Sequence, residues 1–69
     1  MRHTYKYAKI SYAAAVRLGL AKSRRRTSSG YVIINDGDLT GYGSGTFADK
    51  IDALGGTVLT ALQARAELE

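Results

Sequence analysis

The chain has 69 residues and no cysteine, and this combination constrains its fold more than any single motif does. A domain of this size buries only about 60% of the surface that its unfolded chain exposes, so one hydrophobic core gives thin stability. A disulfide cannot add to that stability because there is no cysteine to form one. We therefore expect a single domain over residues 1–69 that gains support by self-association, most simply as a homodimer.

The composition predicts a folded chain without a membrane span. Hydrophobic residues make up 45% and charged residues 23%, which is ordinary globular usage. The longest apolar stretches, residues 12–16 and 31–34, are far shorter than the roughly 20 residues that a span requires. With no cysteine, this favours a cytoplasmic protein that does not contact membranes. Leu68 and Glu69 are consistent with the remnant of a cloning site before a removed tag, and receive no functional weight.

The first part of the chain predicts a strand followed by a short helix. Residues 4–10 carry β-branched and aromatic side chains in near alternation, as a half-buried strand does. Ser11 suits the N-cap of an alanine-rich helix over residues 12–18, because its hydroxyl accepts a hydrogen bond from a free amide. Gly19 suits the left-handed residue that ends such a helix.

The middle of the chain predicts two further β segments. Residues 21–27 are too polar for a central strand and suit an edge strand or a loop. Residues 31–34 form a continuous apolar run of mainly β-branched side chains between turn signals, which predicts the central strand of the sheet. A long glycine-rich connection follows this strand.

The last part of the chain predicts two helices, each with the sequence pattern of a capping box at its start. Thr46 and Asp49 have the spacing in which each side chain satisfies a free amide near the other, and a glycine pair ends this helix. Thr60 and Gln63 have the same spacing at the start of the last helix. Residues 57–59 between the helices suit a short strand, and the alternative is one helix from residue 57 onward.

The predicted order of elements is β-α-β-β-α-β-α. Its first six elements follow the split β-α-β arrangement known from ferredoxin-like folds. We therefore expect an α+β domain with a three- or four-stranded, mainly antiparallel sheet and helices on one face.

The charges are divided unevenly along the chain. Residues 1–35 carry eight lysines and arginines and no acid, whereas residues 36–69 carry six acids and two bases. One function that this indicates is nucleic-acid binding, because basic side chains neutralise phosphates and tyrosine rings stack on exposed bases. The candidate nucleic-acid-binding residues are Lys6, Lys9, Lys22, Arg24, Arg25, Arg26, Tyr5 and Tyr7.

Two structural alternatives explain the same charges without nucleic acid. Arginines on a sheet edge prevent unwanted strand pairing. The basic half of one subunit can also face the acidic half of another across a two-fold axis. These alternatives favour our first hypothesis, a self-associating protein interaction module, with nucleic-acid binding as the second. A protein partner would cover apolar side chains left partly exposed, such as Val16, Leu20 and Leu62.

The sequence offers little for catalysis, metal binding or a cofactor. Its one histidine, His3, has no acid near it in sequence to orient it, and Asp36 and Asp38 lie in a turn. Residues 43–48 have the spacing of a dinucleotide-binding loop, but no apolar strand directly precedes them. We expect no enzyme activity, no cofactor and no metal site.

Overall fold

The computed structural model describes residues 5–69, so His3 and Thr4, the first residue of the predicted strand over residues 4–10, lie outside the described part. Residues 5 and 6 are not part of the strand, which begins at Tyr7. The elements in chain order are β1 (Tyr7–Ile10), α1 (Tyr12–Leu18), β2 (Val32–Asn35), a 3₁₀ helix (Asp36–Leu39), α2 (Phe47–Ala53), β3 (Thr57–Leu59) and α3 (Ala61–Leu68). Within these residues the strands form one antiparallel sheet in the order β2-β1-β3. The α+β class is therefore confirmed. No helix of the described residues is long and apolar enough to cross a membrane.

The central strand is β1, so the prediction that residues 31–34 form the central strand is wrong. Tyr7 lies opposite Asn35 of β2 on one side and Leu59 of β3 on the other. The apolar run of β2 has another cause, which is burial of both of its faces. Val32 belongs to the core cluster on one face of the sheet, while Ile33 belongs to the cluster on the other. A strand covered on both faces is apolar throughout even at a sheet edge.

Helices cover both faces of the sheet, so the expectation of helices on one face is also wrong. On one face, Ile10 and Ile34 pack with residues of α1 and with Ile51 of α2. On the opposite face, α3 covers Ile33 and Leu59. The physical reason is that successive side chains of a strand point to opposite faces of the sheet. The odd-numbered residues Tyr7, Ile33 and Leu59 therefore lie on the face away from α1 and α2, where α3 packs against them.

The fourth strand predicted over residues 21–27 is not formed in the described part of the chain. This segment contributes a single bridge, between Arg26 and Val32. The polar side chains there suit the loop that was predicted as its alternative.

The helix boundaries follow the predicted capping residues. Ser11 accepts a hydrogen bond from the Ala14 amide at 3.2 Å, and Gly19 ends α1 with φ of +75°. Thr46 and Thr60 each begin a helix with a complete capping box. Residues 57–59 form strand β3, so the alternative of one long helix does not apply. The predicted helix starts are confirmed, and the physical reason is that capping depends only on neighbours within four positions.

Candidate interaction surfaces

The outer edge of β2 is covered by the arginine-rich segment that precedes it. The Ile33 amide donates to the Arg25 carbonyl at 3.0 Å, and the Thr27 amide donates to the Tyr31 carbonyl at 2.8 Å. Arg26 lies between these two bonds and forms the bridge to β2. These bonds engage the Ile33 amide of β2 and the Tyr31 carbonyl just before it, and the residue that faces outward from the covering segment is Arg26. Its charge disfavours pairing with a further strand.

The outer edge of β3 is open. The Asp36 amide donates to the Lys6 carbonyl at 2.8 Å, so even-numbered residues of β1 direct their backbone groups toward β2. Tyr7 and Lys9 therefore direct theirs toward β3. Val58 lies opposite Ala8 in the β1–β3 register, and its N–H and C=O point away from β1. No other element of residues 5–69 pairs with that edge.

A shallow groove of about 260 Å³ runs beside this open edge, between β3 and α2. It is lined by Ala48, Ile51, Asp52, Gly56, Thr57 and Val58. Strand β3 itself carries no charge and no proline, the two features that most often protect an edge strand from pairing. The edge and groove together can accept an extended strand and one of its side chains.

The predicted nucleic-acid-binding residues do not form one surface. Lys9 lies on the α3 face and makes an ion pair with Glu67 at 3.1 Å. Arg26 lies on the α1 side, with its guanidinium 4.8 Å from the ring centre of Tyr12. Lys9 and Arg26 therefore lie on opposite sides of the sheet, while Lys22 lines a groove on α1 together with Tyr12.

The remaining predicted residues differ in exposure. Tyr5 is 46% exposed, and Lys6 and Lys22 are exposed at separate positions, before β1 and after α1. Tyr7 is half-buried against the cluster under α3, in the position expected of a core tyrosine. Arg25 is exposed. Nucleic-acid binding by these residues stays a prediction.

Arg24, another of the predicted residues, is held by Asp38. Its Nε donates to Asp38 Oδ2 at 2.9 Å, and its Nη2 donates to Oδ1, so the contact is bidentate. The Asn35 amide also donates to Asp38 Oδ2, at 2.9 Å, within the cap of the 3₁₀ helix. The Asp38 side chain is only 6% exposed. The pair connects the loop after α1 to the 3₁₀ helix that follows β2.

The hydrogen bond from Arg24 lowers the pKa of Asp38 below its ordinary value of 3.8, against the opposing effect of burial. The same hydrogen bond raises the pKa of Arg24 above its usual range. Arg24 therefore has a structural role in this pair, and its charge is already matched by a carboxylate.

Asp38→Asn is expected to lower the free energy of unfolding by about 1–2 kcal/mol near neutral pH, because it removes a charged acceptor from Arg24 and from the cap. The folded-state pKa is depressed, so the carboxylate stabilises the fold above pH 3.8. That stabilisation is lost as the pH falls below 3.8 and through the lower folded-state pKa.

Urea unfolding of both proteins from neutral pH to about pH 2 measures this effect, and the two stabilities are expected to converge in acid. Asp36→Asn, at an exposed neighbouring position, is the matched control and is expected to change little. If the free energy of unfolding of Asp38→Asn differed from that of the native protein by the same amount at every pH, the stabilisation could not be assigned to the charged Asp38 carboxylate.

The exposed apolar side chains predicted to meet a partner lie on different helices. Val16 is 53% exposed on α1, Leu62 is 78% exposed on α3, and Leu20 is half-buried against the core. Helices α1 and α3 pack on opposite faces of the sheet, so Val16 and Leu62 cannot be covered by one small partner. Val16 and Tyr12 line a groove of about 290 Å³ on the outside of α1.

A larger groove of about 320 Å³ lies on the α3 face, next to β2. Tyr7 and Ile33 of the sheet line it. Leu68 of α3, which received no functional weight from its place in the sequence, lines it as well. Arg25 and Arg65 line the same groove from the loop and from α3. Arg65 was not among the predicted residues, because it lies in the acidic half of the chain and no motif in the sequence marks it.

No group of three His, Cys, Asp or Glu side chains comes together for a metal ion in the part of the chain from Tyr5 onward. The glycine-rich loop before α2 satisfies its own helix start, since Thr46 N–H donates to Asp49 Oδ2 at 3.1 Å. The absence of enzyme activity, of a cofactor and of a metal stays a prediction.

Residues 5–69 thus form a small α+β domain with an open, uncharged strand edge at β3, a groove on α1 and a groove between β2 and α3. Comparison of the chain with protein-family models, with curated protein sequences and with solved structures finds no match.

Proposed function

We propose that the protein is a non-enzymatic interaction module that self-associates by pairing the β3 edges of two copies. The observation that carries this proposal is the contrast between the two sheet edges. The β2 edge is covered by residues 25–27, whereas the β3 edge presents the backbone groups of Val58 without a partner among residues 5–69. Unpaired edge groups are a ready template for another strand.

Two copies of this edge are complementary to each other. Across a two-fold axis the two β3 strands run antiparallel, with Val58 opposite Val58 of the other copy. Each Val58 N–H then donates to the other copy's Val58 C=O, and the two sheets join into one of six strands. This arrangement uses the backbone groups that the β1–β3 ladder leaves free.

The side chains at this position support the same pairing. Residues opposite each other in an antiparallel pair place their side chains on the same face. The second copy's Val58 therefore lies next to the groove lined by Ala48 and Ile51. Burial of two valines adds apolar contact to the two backbone hydrogen bonds, and β3 brings no charge into the contact.

Val58→Pro is expected to convert a dimer into a monomer, because proline has no N–H to donate. That N–H is not used for pairing with β1, so the monomer fold is expected to persist. Sedimentation equilibrium measures the change, with the native chain expected at about twice its monomer mass of 7.4 kDa. Val58→Thr keeps the N–H and the β-branched shape, and is the matched control that is expected to stay dimeric.

Hydrogen exchange at the Val58 amide tests the proposal without a substitution, in case the proline variant does not fold. In the native protein this amide is expected to exchange slowly at high protein concentration and faster on dilution. A native chain that is monomeric at high concentration would overturn the proposal. A dimer whose Val58 amide stays unprotected would also overturn it, because the contact would then lie elsewhere.

Nucleic-acid binding is the second candidate and has less geometric support. Lys9 and Arg24 already have acidic partners, and Arg26 stacks on Tyr12. Of the other predicted cations, Lys22 lines the groove on α1 and Arg25 lines the groove on the α3 face. A phosphate-binding surface instead needs several cations on one face.

A further inference from the structure

The groove between β2 and α3 combines an apolar floor with two arginines at its border. Tyr7, Ile33 and Leu68 line both this groove and an adjoining depression of about 200 Å³, so the floor continues along β2. Arg25 borders both segments, and Arg65 borders the larger one. A volume of about 320 Å³ for the larger segment lies within the range of small-molecule sites, which begins near 300 Å³.

The two arginines that line this groove have no acidic partner at ion-pair distance among residues 5–69. The ion pairs of residues 5–69 join Lys9 to Glu67 and Arg24 to Asp38, and neither pair includes Arg25 or Arg65. The two guanidinium groups reach the groove from different elements, a loop and a helix. Glu69 also lines the groove, but it is beyond ion-pair distance of both arginines.

We propose that this groove binds a small amphipathic anion, with its acidic head between Arg25 and Arg65 and its apolar body over Tyr7, Ile33 and Leu68. A guanidinium presents a planar pair of donors that matches a carboxylate or a phosphate monoester. The apolar body of such a ligand would cover the hydrophobic floor that α3 leaves open. A fully polar anion would contact the arginines alone and leave that floor in water.

The proposed ligand and the proposed dimer occupy different parts of the molecule. The groove adjoins β2, and the dimer contact is at β3, with β1 between them. The two proposals can therefore fail independently. The dimer-disrupting variant Val58→Pro is expected to bind the anion as the native chain does.

Titration of the ¹⁵N-labelled chain with decanoate, below the concentration at which it forms micelles, tests the proposal. Chemical-shift changes are expected at the amides of Tyr7, Ile33 and Leu68, and calorimetry gives the affinity.

Arg25→Gln and Arg65→Gln are each expected to weaken binding about tenfold. Arg17→Gln, at an exposed position on α1, is the matched control and is expected to leave binding unchanged. Glu69→Gln is expected to strengthen binding about twofold by removing a nearby like charge.

Three further probes separate the sources of affinity. Decanol has the apolar body without the charge and is expected to bind at least tenfold more weakly. Decyl phosphate compares the two acidic heads, and arginine-dependent binding of either one supports the proposal. An oligothymidylate tests nucleic acid at the same site.

Several results would overturn the proposal. These are no binding of either anion, equal binding of decanol, an equal effect of Arg17→Gln, or tighter arginine-dependent binding of the oligonucleotide than of both amphiphiles.

Discussion

Ile51→Ala is expected to lower the free energy of unfolding by about 3–4 kcal/mol, because it removes a buried side chain that the surroundings cannot refill. Ile51 is 1% exposed and packs with Ile10 and Ile34 between α2 and the sheet. A single core in a domain of this size rarely supplies more than about 3–5 kcal/mol. The variant is therefore expected to retain little net stability, so that a substantial fraction of its molecules is unfolded at room temperature.

Urea unfolding followed by circular dichroism measures this loss. Leu62→Ala makes a related truncation at a position that is 78% exposed, and is expected to change stability by less than about 0.5 kcal/mol. Similar losses for Ile51→Ala and Leu62→Ala would contradict the described core.

Gly56→Ala is expected to cost about 2–3 kcal/mol, for steric reasons. A Cβ atom at residue 56 would lie 2.7 Å from the Lys9 carbonyl oxygen and 2.9 Å from Ile10 Cγ2. It would also lie 3.0 Å from Ile51 Cγ2. The carbonyl is part of the central strand, so the clash is removed only if β3 or α2 moves away from β1.

Gly55→Ala is the matched control, one residue earlier. Gly55 has φ of +73° and open space around its missing side chain, so alanine there costs only the backbone strain, about 1 kcal/mol. Thermal unfolding of both variants distinguishes steric crowding at residue 56 from backbone strain at residue 55. A larger loss for Gly55→Ala than for Gly56→Ala would show that the end of α2 packs less closely against β1 than described.

Local features of this fold were predictable from the sequence, because the residues that decide them are close together. Ser11, Thr46 and Thr60 begin helices at the predicted positions, each through a hydrogen bond to an amide three residues on. Gly19 ends the first helix in the left-handed conformation. Such signals require no knowledge of what lies across the sheet.

The layout of the sheet depends on contacts between distant residues, and the sequence pattern did not determine it. The apolar run at residues 31–34 indicates burial on two faces, which a central strand and a covered edge strand share. The position of α3 likewise depends on the face of the sheet on which the Leu59 side chain lies, and that face is set by the pairing of β3 with β1. A short capped helix is compatible with either face.

The candidate surfaces were predicted only in part. The sequence identified Arg24 and Arg25 as similar cations, but the fold gives one a buried carboxylate partner and leaves the other at a groove. Asp38, fourteen residues after Arg24, was assigned only to a turn. The openness of the β3 edge at Val58 follows from strand order and register, neither of which a composition or a motif contains.

Strand β1 lies between β2 and β3, and this order affects how the chain folds during its synthesis. One edge of β1 stays unpaired until Thr57–Leu59 have left the ribosome. Closing the loop from Tyr7 to Leu59 spans most of the chain and costs more conformational entropy than pairing β1 with β2. A nascent chain therefore exposes an incomplete sheet, and Tyr7–Ile10 is the segment that a chaperone would have to shield from neighbouring chains.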